Sequence, residues 1–172
     1  QTLWPVLFRR VSAPPVRREE LTLPDGDRLE LSWARGGGTG PPALILPGLE
    51  GGLASHYIPG LMRRLGEAGW RPVVMHHRGT GSAPNRLRRR YTGGDTADLA
   101  FVAGTLAERF PERAPVAVGF SLGANLLLKW LGEMAEATPL DAAAAVSPPF
   151  RLERAADRLD TGLSRLYQRH LL

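Results

Sequence analysis

Cysteine is missing from all 172 residues. That absence removes disulfides, thiolate metal sites and a cysteine nucleophile together, and it leaves the compartment open. Lysine is nearly missing as well. Lys129 is the one lysine, so the formal charge of +5 comes from arginine set against 17 acidic residues. The densest basic cluster is Arg86, Arg88, Arg89 and Arg90 beside Tyr91. No matching stripe and no nucleic-acid motif accompany it, so a solvated or ion-paired loop is expected rather than a phosphate grip, and no nucleic-acid partner is expected. The sequence pI of about 10.6 speaks to solubility and non-specific contacts. No apolar run approaches the roughly 20 residues of a membrane span, and the N-terminus carries no signal-peptide pattern. A cytoplasmic protein without a transmembrane span is the expectation, unless a segment ahead of Gln1 says otherwise.

A hydrophobic content of 43% is enough to bury the core of one domain. From Glu19 to Trp33, Leu21 and Leu23, then Pro24-Asp25-Gly26-Asp27, then Leu29, Leu31 and Trp33 read as strand, turn, strand. Gly36 to Pro42 reads as a flexible stretch leading to Ala43–Leu46, a wholly apolar run suited to a buried parallel strand. Ile58, Leu61, Met62 and Leu65 recur at helical spacing, with Gly69 placed to stop the helix before the strand Val73–Met75. A second helix is predicted from about Asp95 to Phe110, then a strand at Val116–Val118, a helix carrying Leu126, Leu127, Trp130 and Leu131, and a strand at Ala142–Val146. Strands alternating with helices predict the α/β class: a mostly parallel central sheet with helices on both faces and an antiparallel hairpin at its edge.

Gly119-Phe120-Ser121-Leu122-Gly123 matches G-x-S-x-G, and it sits between an apolar strand and a helix, the setting a nucleophile elbow requires. The turn is so tight that side chains two positions either side of the serine would collide, which places glycine at 119 and 123. The Leu122 N–H, at the start of the following helix, is a candidate oxyanion donor. A second donor is expected from the loop after the earlier strand, Pro47-Gly48-Leu49-Glu50-Gly51, and the Leu49 N–H is the candidate. No G-x-x-x-x-G-K-[ST] or G-x-G-x-x-G follows any strand, so phosphate and dinucleotide binding fall behind. A catalytically silent binding module on the same scaffold stays open, since fold does not fix function.

Together these segments resemble the YheT-like branch of the α/β-hydrolases. The resemblance is carried by Gln1-Thr2-Leu3-Trp4-Pro5, Leu7-Phe8-Arg9-Arg10, Leu46-Pro47-Gly48-Leu49-Glu50-Gly51, His76-His77-Arg78-Gly79, Pro84-Asn85-Arg86, Gly119 to Asn125 and Ser147-Pro148-Pro149-Phe150. Pro47 stands where a histidine often opens the glycine turn in such enzymes. The resemblance implies an α/β-hydrolase fold with residues 1–150 as the N-terminal part of the core and 151–172 as the start of a cap. It also implies a serine esterase cleaving carboxylic esters of a small, acyl or lipid-like substrate, with no metal and no organic cofactor. A thioesterase or other acyl-transfer activity is the alternative alongside the silent binding module.

In this chain order an acid and then a histidine follow the serine. Asp157 or Asp160 with His170 satisfies the order formally, but His170 follows Ser121 too closely for the intervening strands, so both triad partners are expected beyond Leu172. Gln1 in place of a starting Met, and a C-terminus that reads as an unfinished helix, lead to the same expectation of a fragment truncated before the acid and histidine loops. Such a fragment is expected to be inactive alone and to leave a bare sheet edge after Val146. His56 is expected near a helix start, His76 and His77 in structural hydrogen bonds, Asp95 and Asp98 at a helix N-terminus, and Asn125 in a bond that steadies the elbow.

Overall fold

The computed structural model describes residues 12–159. Six strands form one sheet: β1 (Val16–Thr22), β2 (Arg28–Ala34), β3 (Pro42–Leu46), β4 (Arg71–Met75), β5 (Val116–Phe120) and β6 (Ala142–Val146). Their order is β1-β2-β4-β3-β5-β6. β1 and β2 form the antiparallel edge hairpin, and β2 runs antiparallel to β4. β4, β3, β5 and β6 are mutually parallel. Among the described residues four α-helices punctuate them: α1 (Ile58–Glu67), α2 (Ala97–Arg109), α3 (Leu122–Met134) and α4 (Leu152–Leu159).

The alternation of side chains along each strand sorts the core into two layers. On one face Leu31, Leu44, Leu46, Val73 and Met75 pack with Leu99, Val102 and Leu106 of α2 and Leu126, Leu127 and Trp130 of α3. On the other, Ile45 and Val74 pack with Ile58 and Met62 of α1. β3 is buried at all five positions, which is why it carries an unbroken apolar run, whereas β2 alternates, burying Leu29, Leu31 and Trp33 in the first layer. The stretch from Gly36 to Pro42, read as flexible, is instead pinned: the Gly38 and Gly40 N–H groups donate to the carbonyls of Trp70 and Gly69. Small glycines let two backbones lie against each other there, a cause that loop composition does not reveal.

All five residues of β6 are exposed, so among the described residues the sheet ends in an uncovered parallel strand. Beside it an apolar groove is lined by Leu61, Leu65, Trp70, Val118 and Ala142–Ala144. This is the bare edge expected after Val146.

Candidate active site

Ser121 stands between β5 and α3 with φ 50° and ψ −114°, a backbone conformation that costs a non-glycine residue of order 1–3 kcal/mol. It is exposed at the C-terminal end of the parallel strands, where sites form in open α/β sheets. The flanking glycines explain how the chain turns so sharply. A Cβ on Gly119 would lie 2.5 Å from the Gly123 carbonyl oxygen, and one on Gly123 would lie 2.4 Å from the carbonyl oxygens of both Leu46 and Pro47. The obstacles are backbone atoms, which cannot swing aside. Gly123→Ala is therefore expected to force β3 and α3 apart, costing about 1–3 kcal/mol or more and lowering the melting temperature by several degrees. Gly132→Ala, on the same helix with nothing within 4 Å of its Cβ, should hold or raise it. Thermal melting of the two variants checks this, and equal effects would contradict it.

The elbow is held from behind. The Ser121 N–H donates to the Val146 carbonyl at 2.9 Å, and the Asn125 side-chain amide donates to the Pro149 carbonyl at 3.1 Å. Asn125 thus ties the segment after β6 to the nucleophile helix, as expected of it. The first internal bond of α3 runs from the Asn125 N–H to the Ser121 carbonyl, so the Leu122 N–H at the helix start has no acceptor among the described residues.

The loop after β3 shows a stricter economy. The Gly48 N–H donates to the Tyr57 hydroxyl (3.1 Å), Glu50 N–H to the Tyr91 hydroxyl (3.0 Å), Gly51 N–H to the Gly48 carbonyl (2.9 Å) and Gly52 N–H to Ser55 Oγ (3.1 Å). Among the described residues, Leu49 is the one residue of this run whose N–H has no acceptor. The loop passes directly by the serine, because a Cβ on Gly48 would sit 3.3 Å from Ser121 Cβ. Among the described residues, then, the Leu122 N–H next to Ser121 and the Leu49 N–H next to Gly48 are both without an acceptor, as donors for an anion developing on a carbonyl oxygen would have to be.

Both adjacent histidines have structural partners. His76 Nε2 lies 2.9 Å from Ser32 Oγ and 3.5 Å from Glu30. His77 Nε2–H donates to the Pro47 carbonyl at 2.9 Å, and its ring stacks on Tyr91 with centroids 4.8 Å apart. Burial pushes both histidines below their ordinary value near 6.5, although Glu30 works the other way on His76 and the Pro47 carbonyl on His77. A histidine whose folded pKa is depressed binds its proton more readily when unfolded, so stability is full above about pH 6.5 and is lost as pH falls below it. The carboxylates of Asp25, Asp27, Asp95 and Glu30 are held below their ordinary values despite burial that alone would raise most of them, so a second loss is expected below about pH 4.5. Melting followed from pH 8 to 2 should show two steps, with His77→Gln shrinking the upper one; a single step below pH 4.5 would contradict the histidine assignment.

His56 is exposed beside Tyr57, just before α1. Asp95 accepts the Ala97 N–H at the start of α2, but Asp98 does not serve as a cap. Both its oxygens take the guanidinium of Arg78, at 3.0 and 2.6 Å, because a buried arginine demands a paired carboxylate more strongly than a helix end does. Two of the four arginines of the cluster are ion-paired: Arg89 with Asp25 and Asp95, and Arg86 with Glu20. Asp157 lies on α4, while Asp160 and His170 fall outside the described residues. Among the described residues the Ser121 hydroxyl has no hydrogen-bond partner, no group of three or more His, Asp and Glu could hold a metal ion, and no helix is long and apolar enough to cross a membrane. The parts that sequence reasoning missed are Tyr57 and the Tyr91–Glu50 contact, 41 positions apart in the chain, for which no local motif exists.

Known proteins share the fold. The family model described as alpha/beta hydrolase fold matches residues 41–171. The chain is 40% identical to the putative esterase YheT of Escherichia coli, covering 100% of this chain and 52% of that protein. It is 32% identical to the phospholipase ABHD3 of Homo sapiens over 89% of this chain and 40% of the relative. The chain thus spans about half the length, or less, of the curated relatives it matches. Among solved structures, the Pyrococcus furiosus esterase Pf2001 superposes with a TM-score of 0.71 at 24% identity, covering 87% of this chain and 57% of that one, a likeness of fold.

Proposed function

From the premise that this chain belongs to the α/β-hydrolase fold family, we propose that it carries the nucleophile and oxyanion hole of a serine hydrolase that cleaves carboxylic esters. The observation that carries the reading is Ser121 itself: an exposed hydroxyl on a strained strand-to-helix turn, with the Gly48 backbone of the loop after β3 close beside it. Strain at a single non-glycine position persists when the surrounding structure over-determines it, here through Gly119 and Gly123. The names of relatives, a putative esterase and a phospholipase, support an ester substrate.

In this mechanism Ser121 Oγ attacks the ester carbonyl while a histidine takes its proton. Oγ–C forms, the carbonyl π pair moves onto oxygen, and the Leu49 and Leu122 N–H groups stabilise that oxyanion. Collapse breaks the C–O bond to the alcohol, which leaves with the proton returned by the histidine. Water then repeats the sequence on the acyl-enzyme and releases the acid. The base and its carboxylate partner belong, on this reading, to residues beyond Leu172, and the cap opens at Arg151, the part of it expected over 160–172 lying outside the described residues. Leu49, Phe150 and Leu152 are exposed apolar side chains near the elbow and its adjoining segment, which suits an acyl or lipid-like substrate.

The test is labelling with a fluorophosphonate probe, on these 172 residues and on the chain carried to its natural stop codon, each beside Ser121→Ala. Ser121-dependent labelling of the longer chain alone is expected. Labelling of the 172-residue chain would place a base within it, and a well-folded longer chain that stays unlabelled would favour a silent binding module.

A further inference from the structure

Tyr91 is remote in sequence from both halves of the elbow, yet its hydroxyl meets the oxyanion loop twice. It accepts the Glu50 N–H at 3.0 Å and donates its own proton to Glu50 Oε1 at 2.7 Å. One hydroxyl has a single proton to give and lone pairs to receive, so these two bonds use it in full with a fixed rotor. Its ring lies flat on His77, at an interplanar angle of 17°, and His77 in turn donates to the Pro47 carbonyl. The stacked pair therefore grips the loop at Pro47 and at Glu50, on either side of Gly48 and Leu49.

We infer that Tyr91, seated on His77, is the positioning residue of the oxyanion loop, and that its hydroxyl holds the Leu49 N–H in place for the reaction at Ser121. The inference rests on the reading of Ser121 as nucleophile and Leu49 as second donor. Three observations converge on it. Glu50 is held at φ 51°, a left-handed conformation that a glutamate leaves unless something retains it. Among the described residues, the contacts that engage both its N–H and its carboxylate are those to Tyr91. Finally, by occupying the Glu50 N–H, Tyr91 removes the neighbouring donor that would compete with Leu49 for an incoming oxyanion. Burial and the Glu50 carboxylate push the Tyr91 hydroxyl up to about 12, so it stays protonated and keeps donating throughout the working pH range. Tyr91 is itself anchored, because the preceding Arg89 is fixed to Asp25 and Asp95.

Without the hydroxyl, the Leu49–Glu50 peptide is free to relax to negative φ and the donor moves. Removing an oxyanion donor outright costs about a hundred- to a thousandfold in kcat, and misplacing one costs part of that. In the chain carried to its natural stop codon, Tyr91→Phe keeps the ring and the stack on His77 but loses the hydroxyl. It is expected to lower kcat for a p-nitrophenyl ester about ten- to a hundredfold, with KM within about twofold and the melting temperature nearly unchanged. Glu50→Ala should cause a similar loss by itself and add less than about twofold to Tyr91→Phe, since the two groups act as one unit. A merely structural tyrosine would instead lower the folded fraction and leave kcat per active site, titrated with fluorophosphonate, untouched. If Ser121→Ala abolishes hydrolysis while Tyr91→Phe keeps kcat within twofold per titrated site, the positioning role is overturned and the nucleophile stands. If Ser121→Ala leaves hydrolysis intact, both fall.

Discussion

Ser121→Ala, in the chain carried to its natural stop codon, is expected to lower kcat for ester hydrolysis by about four to six orders of magnitude. That is the loss seen when the serine of a working triad is removed, because the remaining members cannot substitute for it and the oxyanion donors alone supply only a small residual rate. The same position allows a sharper test through stability. Ser121 sits at φ 50° and ψ −114°, so Ser121→Gly relieves the strain while removing the hydroxyl. Relief of about 1–3 kcal/mol should raise the melting temperature by several degrees. A variant that is more stable and inactive marks a residue kept against its own conformational preference for the sake of chemistry. Hydrolysis within tenfold of wild type in Ser121→Ala, or a lowered melting temperature in Ser121→Gly, would contradict the assignment.

Much of this site is legible in the sequence because its causes are local. The apolar run before Gly119 and the helical spacing after Ser121 place the pentapeptide on a strand-to-helix turn, and the glycines at 119 and 123 follow from how closely the backbone of β3 approaches. The six strands fall where the apolar runs and the alternation of the edge hairpin place them, and the first three helices where 3.6-residue spacing does, because each helix packs one side against a single sheet. The illegible parts are those in which distant residues complete one another. No pattern near Leu49 indicates that Tyr57 and Tyr91 occupy its neighbours' N–H groups, or that His77 carries the loop's first carbonyl. Asp98 looks like a helix-start acid from its position, and only the arrival of Arg78 from β4's end gives it a different partner. Hydrogen bonds between residues tens of positions apart leave no spacing to read, whereas helix caps and tight turns do.

Arg78→Met is expected to be the most destabilising single change outside the apolar core. Arg78 is 2% exposed, and four of the five N–H donors of its guanidinium are committed: one each from Nε and Nη2 to Asp98, and two from Nη1, to Asp25 at 2.8 Å and to Asp27 at 3.0 Å. The bidentate bond to Asp98, joined by the charges of the other two aspartates, holds its pKa above even the high ordinary value of arginine. These bonds fasten four separate parts of the chain, namely the hairpin turn between β1 and β2, the end of β4, the first turn of α2 and, through the Arg86 N–H on Asp27, the arginine loop. Removing the cation leaves Asp27, which is wholly buried, and Asp98 without it. Breaking a buried pair this way costs about 3–5 kcal/mol, and for a domain of this size that lowers the melting temperature by roughly 6–20 °C. The two aspartates are not equally exposed to the loss. Asp27 Oδ1 still accepts the N–H groups of Arg28 and Arg86, whereas both oxygens of Asp98 depend on Arg78. Adding Asp98→Leu to Arg78→Met should therefore recover a large share of the lost stability, since an apolar pair replaces an orphaned charge. Arg78→Lys should fall between, because an ammonium cannot span both oxygens of Asp98 and also reach the hairpin turn. Raising salt to 1 M should alter these differences little, since the cluster lies beyond the reach of screening ions, while an exposed pair such as Arg64–Glu67 should lose what little it contributes. Urea unfolding of the three variants decides the matter: an Arg78→Met loss below about 1 kcal/mol, the level of a surface pair, would mean the cluster is hydrated and does not hold the hairpin to the sheet.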